Sequence, residues 1–219
     1  MEKCHLDIFG PLTKTTSGNL YILLMVDQFT KWMQAAHIPD QSAETVARAA
    51  IDYLFSCFGC PSKIITDQEA NFTSQLFTQL CERLEIAKKR TTPYDPSANG
   101  QEGRLNKTLL QMIRCTIRSG QNNCDSQLQM LMAPVRCTTN HSTGPTPNRL
   151  IPGREDTQPL HLMTRVAEEQ APLQVFVEQV QSEMQKAHEI ARQTLHGARC
   201  GKRAIMIYTQ TRQNTRLGK

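Results

Sequence analysis

No apolar run in these 219 residues approaches the roughly 20 that a membrane-spanning helix needs. The opening stretch, Met1-Glu2-Lys3-Cys4-His5, does not read as a secretory signal. These absences exclude a helical membrane protein and argue against export. The expectation is a soluble chain, nuclear or otherwise intracellular, with no membrane partner and no disulfides. No internal repeat is visible, which excludes a solenoid. Eight cysteines are scattered. Cys57 and Cys60 form a C-x-x-C, but no second pair follows at the spacing of a zinc site. Both are read as ordinary packing thiols. The chain is 39% hydrophobic and 21% charged, which is ordinary for a globular domain with an appendage.

Acidic residues are missing altogether from 199–219, where Arg199, Lys202, Arg203, Arg212, Arg216 and Lys219 lie. The rest of the chain holds 19 basic against 20 acidic residues, so the formal charge of +5 is essentially that tail. A cationic tail suits a phosphate backbone. A solvated, disordered end explains it equally well.

The apolar pattern predicts an α/β fold. Residues 4–9 form a short strand. Tyr21–Asp27, read as YILLMVD, is a strand buried on both faces, and Lys31–His37 is its hairpin partner. Ser42 caps a helix whose apolar positions are Ala43, Val46, Ala47, Ala50, Ile51, Leu54 and Phe55, stopped at Gly59-Cys60-Pro61. Lys63–Thr66 is a strand that delivers Asp67 at its end. Further helices are expected over 74–84, 100–118 and 126–138, and a strand over 86–91. The Pro-rich run 143–159 reads as an extended linker. Residues 173–197 place Leu173, Val177, Val180, Met184, Ala187, Ala191 and Thr194 at alternating steps of four and three. Such a seam either pairs with a second copy or covers its own domain.

Three acidic landmarks stand in distinctive surroundings. Asp7 lies in His5-Leu6-Asp7-Ile8-Phe9-Gly10-Pro11, and Asp67 in Ile64-Ile65-Thr66-Asp67-Gln68 followed by Asn71-Phe72. Glu102 follows Pro93-Tyr94 and Asn99-Gly100-Gln101. With Val26-Asp27-Gln28-Phe29-Thr30-Lys31-Trp32 and Asn140-His141-Ser142-Thr143-Gly144, these stretches resemble the catalytic core of Ty3/gypsy-type retrotransposon integrases, in the retroviral integrase superfamily. The resemblance covers about residues 5–160. It implies a ribonuclease-H-like mixed sheet flanked by helices, here with a C-terminal helical extension. It also implies DNA integration by metal-dependent polynucleotidyl transfer. By resemblance, Asp7, Asp67 and Glu102 are the catalytic acids, and Asp7 and Asp67 hold Mg²⁺ or Mn²⁺. Lys89, Arg90, Asn99, Gln101, Arg104 and Lys107 contact nucleic acid. DNA is the implied partner, with a homo-oligomer open and no small-molecule substrate or organic cofactor.

The third acid departs from the family pattern, which has thirty-five residues between the second Asp and the Glu. Residues 68–102 fill that interval here, so position 103 should carry the carboxylate, and it is glycine. On a helix one residue is a rotation of about 100°, which displaces a side chain by roughly 8 Å. Activity is therefore expected to be impaired, unless a slip of the helix start brings Glu102 round. Glu69 stands where the family has Gly, and Asp95 where it has His. Neither the family's zinc-binding module before Asp7 nor its β-rich module after residue 160 is expected. The predicted layout is a core over 1–160, a linker over 161–171, an amphipathic helix over 172–198 and a disordered basic tail over 199–219. The alternative function is a catalytically inactive, transposon-derived module that binds DNA or self-associates.

Overall fold

The structure is a computed structural model that describes residues 1–67, 70–90, 124–155 and 178–197. The chain forms two compact units, Met1–Thr138 and Thr139–Lys219.

The first unit is built on five strands: β1 (Lys3–Phe9), β2 (Tyr21–Asp27), β3 (Met33–Ile38), β4 (Lys63–Thr66) and β5 (Ala87–Arg90). Their order across the sheet is β3-β2-β1-β4-β5. The β1–β2 and β2–β3 pairs are antiparallel, and β1–β4 and β4–β5 are parallel. The mixed sheet flanked by helices is the ribonuclease-H-like arrangement that the motifs imply.

Each strand's composition explains its place. Side chains alternate between faces along a strand. In β1, Cys4, Leu6 and Ile8 are buried on one face, while His5, Asp7 and Phe9 lie half-buried on the other. In β2 every residue after Tyr21 is buried, because both faces are covered. On the first face, Leu6, Leu23, Met25 and Ile64 pack with Val46, Ala50, Leu54, Phe72, Phe77 and Cys81. These last six come from α1 (Ala43–Ala50), the residues that continue it, α2 (Ala70–Thr73) and α3 (Gln75–Arg83). On the second face, Ile22, Leu24, Val26, Met33 and Ala35 meet Leu128 and Met132 of α4 (Cys124–Cys137).

Ser42 caps α1 by accepting the Thr45 N–H. The helix then widens into a π turn over Ile51–Phe55 before ending at Ser56–Phe58. That turn keeps Leu54 and Phe55 buried but leaves Ile51 40% exposed. The expectation that Ile51 belongs to the apolar face is corrected: at about 100° per residue it falls at the margin of the buried stripe that runs through Val46, Ala50 and Leu54. Gly59, at φ 77°, ends the helix.

In the second unit, a helix over 178–197 packs against 139–155. Residues 143–155 are not the extended linker that their prolines suggest. Thr146 caps α5 (Pro147–Leu150) through the Arg149 N–H, and Pro147 occupies its first turn, where no N–H is needed. Thr143 donates to Pro145 O at 3.1 Å. Thr143, Thr146, Asn148 and Leu150 are buried. A Cβ on Gly153 would lie 2.5 Å from Met184 Cγ and 3.1 Å from Val180 Cγ1. His188 Nε2 lies 2.6 Å from Leu150 O. The middle of the predicted seam, with Ala187 and Ala191 buried, thus covers its own unit. The predicted linker 161–171 and basic tail 199–219 lie outside the described residues, as does the helix expected over 100–118. Among the described residues, no helix is long and apolar enough to cross a membrane.

Candidate functional site

The parallel register of β1 and β4 brings the two aspartates to neighbouring positions in the sheet. The register pairs Lys3 with Lys63, Cys4 with Ile64, His5 with Ile65 and Leu6 with Thr66. One step further come Asp7, still inside β1, and Asp67, the first residue past β4. Neighbouring strands lie about 4.8 Å apart, and laterally paired residues share a face. Asp7 and Asp67 are therefore side by side, and both are half-buried. Sixty residues of sequence separate them, and one step of strand register joins them.

The surroundings explain how each acid is held. Asp7 is paired across β2 with Leu24, which is fully buried. Thr66 Oγ1 donates to the Asp67 carbonyl at 3.0 Å, which fixes the end of β4. Beyond it, Asn71 Nδ2 donates to Gln41 Oε1 at 2.9 Å, tying α2 to the loop before α1. Carboxylates supply hard oxygen donors, the kind that Mg²⁺ and Mn²⁺ prefer. Among the described residues, no group of three or more Asp, Glu, His or Cys joins at one point.

Glu102, Asn99, Gln101, Arg104 and Lys107 lie outside the described residues. Lys89 and Arg90 are exposed on β5 at the edge of the sheet. The register pairs Lys89 with Ile65, whose face is that of the aspartates, and Arg90 with Thr66. Lys88 turns the other way. Its ammonium donates to Phe72 O and to Thr78 Oγ1 and lies 5.4 Å from the centre of the Phe77 ring. Burial lowers its pKa. Lys88 thus braces α2 and α3, and of the three basic residues only Lys89 takes the face of the aspartates.

Sequence reasoning missed three supporting groups. His5 lies two residues before Asp7 on the same face, and burial, reinforced by the charge of Lys31, pushes it down to about 4. Asp27, 2% exposed, accepts from the Thr30 N–H at 2.8 Å and the Thr30 hydroxyl at 2.6 Å, which fixes the β2–β3 turn. Arg136 of α4 donates to Met33 O at 2.9 Å and lies 4.5 Å from the centre of the Trp32 ring. Asp27 and Trp32 sit inside the quoted Val26–Trp32 motif, so their signal was present without a role. Arg136 had none, since only packing brings it to β3.

Cys57 and Cys60 are both exposed. They are not the packing thiols that the sequence suggested, because the last turn of the helix through Ser56–Phe58 presents Cys57 outward and Gly59 carries Cys60 past the core.

Residues 1–96 match the family model of the integrase core domain. Over 160 residues the chain is 29% identical to the retrovirus-related Pol polyprotein from transposon 412 of Drosophila melanogaster, a match covering 73% of this chain and 13% of that protein. Over 138 residues it is 30% identical to the Pol polyprotein of feline endogenous virus ECE1, covering 63% and 13%. Over 153 residues it is 26% identical to the transposon Tf2-3 polyprotein of Schizosaccharomyces pombe, covering 68% and 11%. The chain thus spans about an eighth of the length of these relatives. Among solved structures, the catalytic core domain of BIV integrase matches with a TM-score of 0.56 at 18% identity, covering 75% of this chain and 99% of that one. A chain of the simian T-cell lymphotropic virus intasome, in complex with PP2A regulatory subunit B56 gamma, also gives 0.56, at 19% identity, covering 78% and 59%.

Proposed function

We propose that this chain, which carries the integrase core domain of retroviral and retrotransposon Pol proteins, binds DNA and performs metal-dependent polynucleotidyl transfer with an impaired site. The observation that supports the reading is the parallel register of β1 and β4, whose last pair, Leu6 with Thr66, stands one step before Asp7 and Asp67. Asp7 and Asp67 would hold Mg²⁺ or Mn²⁺, which when bound supplies a Lewis acid for phosphodiester chemistry. Their carboxylates, half-buried on and just past two interior strands, would position that charge against a scissile phosphate. Lys89 and Arg90, exposed on β5, suit the flanking phosphates, with Asn99, Gln101, Arg104 and Lys107 as further contacts.

Impairment follows from the sequence at the third acid. Glu102 is one residue short of the family spacing, and Gly103 occupies the place of the carboxylate. With two acids instead of three, metal affinity falls and transfer slows. The repair experiment is to combine Glu102→Val with Gly103→Glu and to measure Mn²⁺-dependent joining of DNA ends. The repaired protein is expected to gain at least tenfold over the parent, and Asp67→Asn to abolish the gain. Vigorous Mg²⁺-dependent joining by the parent overturns the impairment. Salt-sensitive DNA binding by parent and repaired proteins, with joining by neither, favours the inactive DNA-binding module.

A further inference from the structure

The two outer strands of the sheet are protected by different means. A strand at an edge offers unpaired N–H and C=O groups to any strand that docks there, and charge, proline or a covering element keeps such strands off. At one edge, β5 reads Ala87-Lys88-Lys89-Arg90, with three basic residues in four. At the other, β3 reads Met33-Gln34-Ala35-Ala36-His37-Ile38, with no Lys, Arg, Asp, Glu or Pro. Its backbone directions follow from the ladder with β2. Asp27 donates its N–H to Trp32 O at 2.9 Å, and the register runs on from there without a break. The even-numbered residues of β3 therefore turn their backbone groups towards β2, and Met33, Ala35 and His37 turn theirs to the outer edge.

Two side chains of α4 occupy that edge. Gln129 Nε2 donates to Ala35 O at 3.0 Å, and Arg136 Nε donates to Met33 O at 2.9 Å. These are carbonyls that the ladder leaves open, and they are the acceptors that an added strand would use. Gln129 and Arg136 stand seven residues apart, two turns of helix, and so share one face of α4. Leu128 and Met132, buried with Met33 and Ala35, seat that helix beside the strand. Arg136 is held further: its Nη2 donates to Gln34 Oε1, and its guanidinium lies 4.5 Å from the centre of the Trp32 ring. We infer that Gln129 and Arg136 form a clip that closes the β3 edge to strand addition, and that without it β3 pairs antiparallel with β3 of a second copy. The sequence of the strand suits that occupant. Centred on Ala35, the antiparallel register sets Ala35 opposite Ala35 and Met33 opposite His37, with no carboxylate, lysine or arginine to oppose another. The clip does not depend on the reading of the two aspartates.

The test compares the full unaltered chain with a Gln129→Ala/Arg136→Ala variant by sedimentation at matched concentrations. The double variant is expected to reach twice the mass of the unaltered protein. Adding His37→Lys, which sets a charge on the strand itself, should restore the original mass. The Ala35 amide should exchange about tenfold more slowly in the associated variant than in the unaltered protein, because a second strand then covers it. Urea unfolding followed through Trp32, the only tryptophan, checks that each variant keeps a cooperative transition. Equal masses for the unaltered and double-variant proteins overturn the proposal. So does association that His37→Lys leaves in place, or association confined to protein that has lost its cooperative transition.

Discussion

Replacing His5 with glutamine should change how stability responds to acid. Burial is the main cause of its displaced pKa, with the charge of Lys31 second, and together they take it from 6.5 down to about 4. The folded protein therefore withholds a proton that the unfolded chain binds. Below pH 6.5 the unfolded state gains that proton first, so stability falls as pH drops towards 4. For these two values the loss between pH 7.5 and pH 5 is roughly 2 kcal/mol. The imidazole is only partly withdrawn from water, so screening reduces this to about 1 kcal/mol. Glutamine keeps the size and polarity but cannot titrate. Urea unfolding at pH 7.5 and pH 5 should show the parent losing about 1 kcal/mol more than His5→Gln. Parallel pH profiles would refute the reasoning, because they would mean that the folded chain admits the proton freely.

Phe77, with no exposed surface and its ring edge-on to Phe72 at 5.7 Å, should cost about 3–5 kcal/mol when cut to alanine, read as a lower urea midpoint. Gly153→Ala places a methyl 2.5 Å from Met184 Cγ at a φ of 77°. It should speed amide exchange over 178–197 by about tenfold, matching about 1–2 kcal/mol of strain, and leave β1 and β2 unchanged.

Much of the first unit was legible in the sequence. YILLMVD could only be a strand covered on both faces, and Lys63–Thr66 had to end where Asp67 begins. The aspartate pair was legible only through motif resemblance, since nothing local links residues sixty positions apart. What escaped were features decided by packing. Ile51 falls at the margin of its helix's buried stripe, which apolar spacing alone does not tell from the centre. The prolines of 143–155 signalled extension, yet Thr146 and the neighbouring helix fold that stretch into a packed unit. The outward turn of Cys57 and Cys60 is a consequence of where the helix happens to end.

The strand order carries a consequence for synthesis. Strands β3, β2 and β1 form a meander of neighbours, so they can assemble once Ile38 has left the ribosome, before β4 is made. Asp7 then stands on an unpaired flank until β4 is translated and docks alongside it. Until β4 docks, the flank of β1 that it will cover is an open sheet edge, available to any strand that can pair with it.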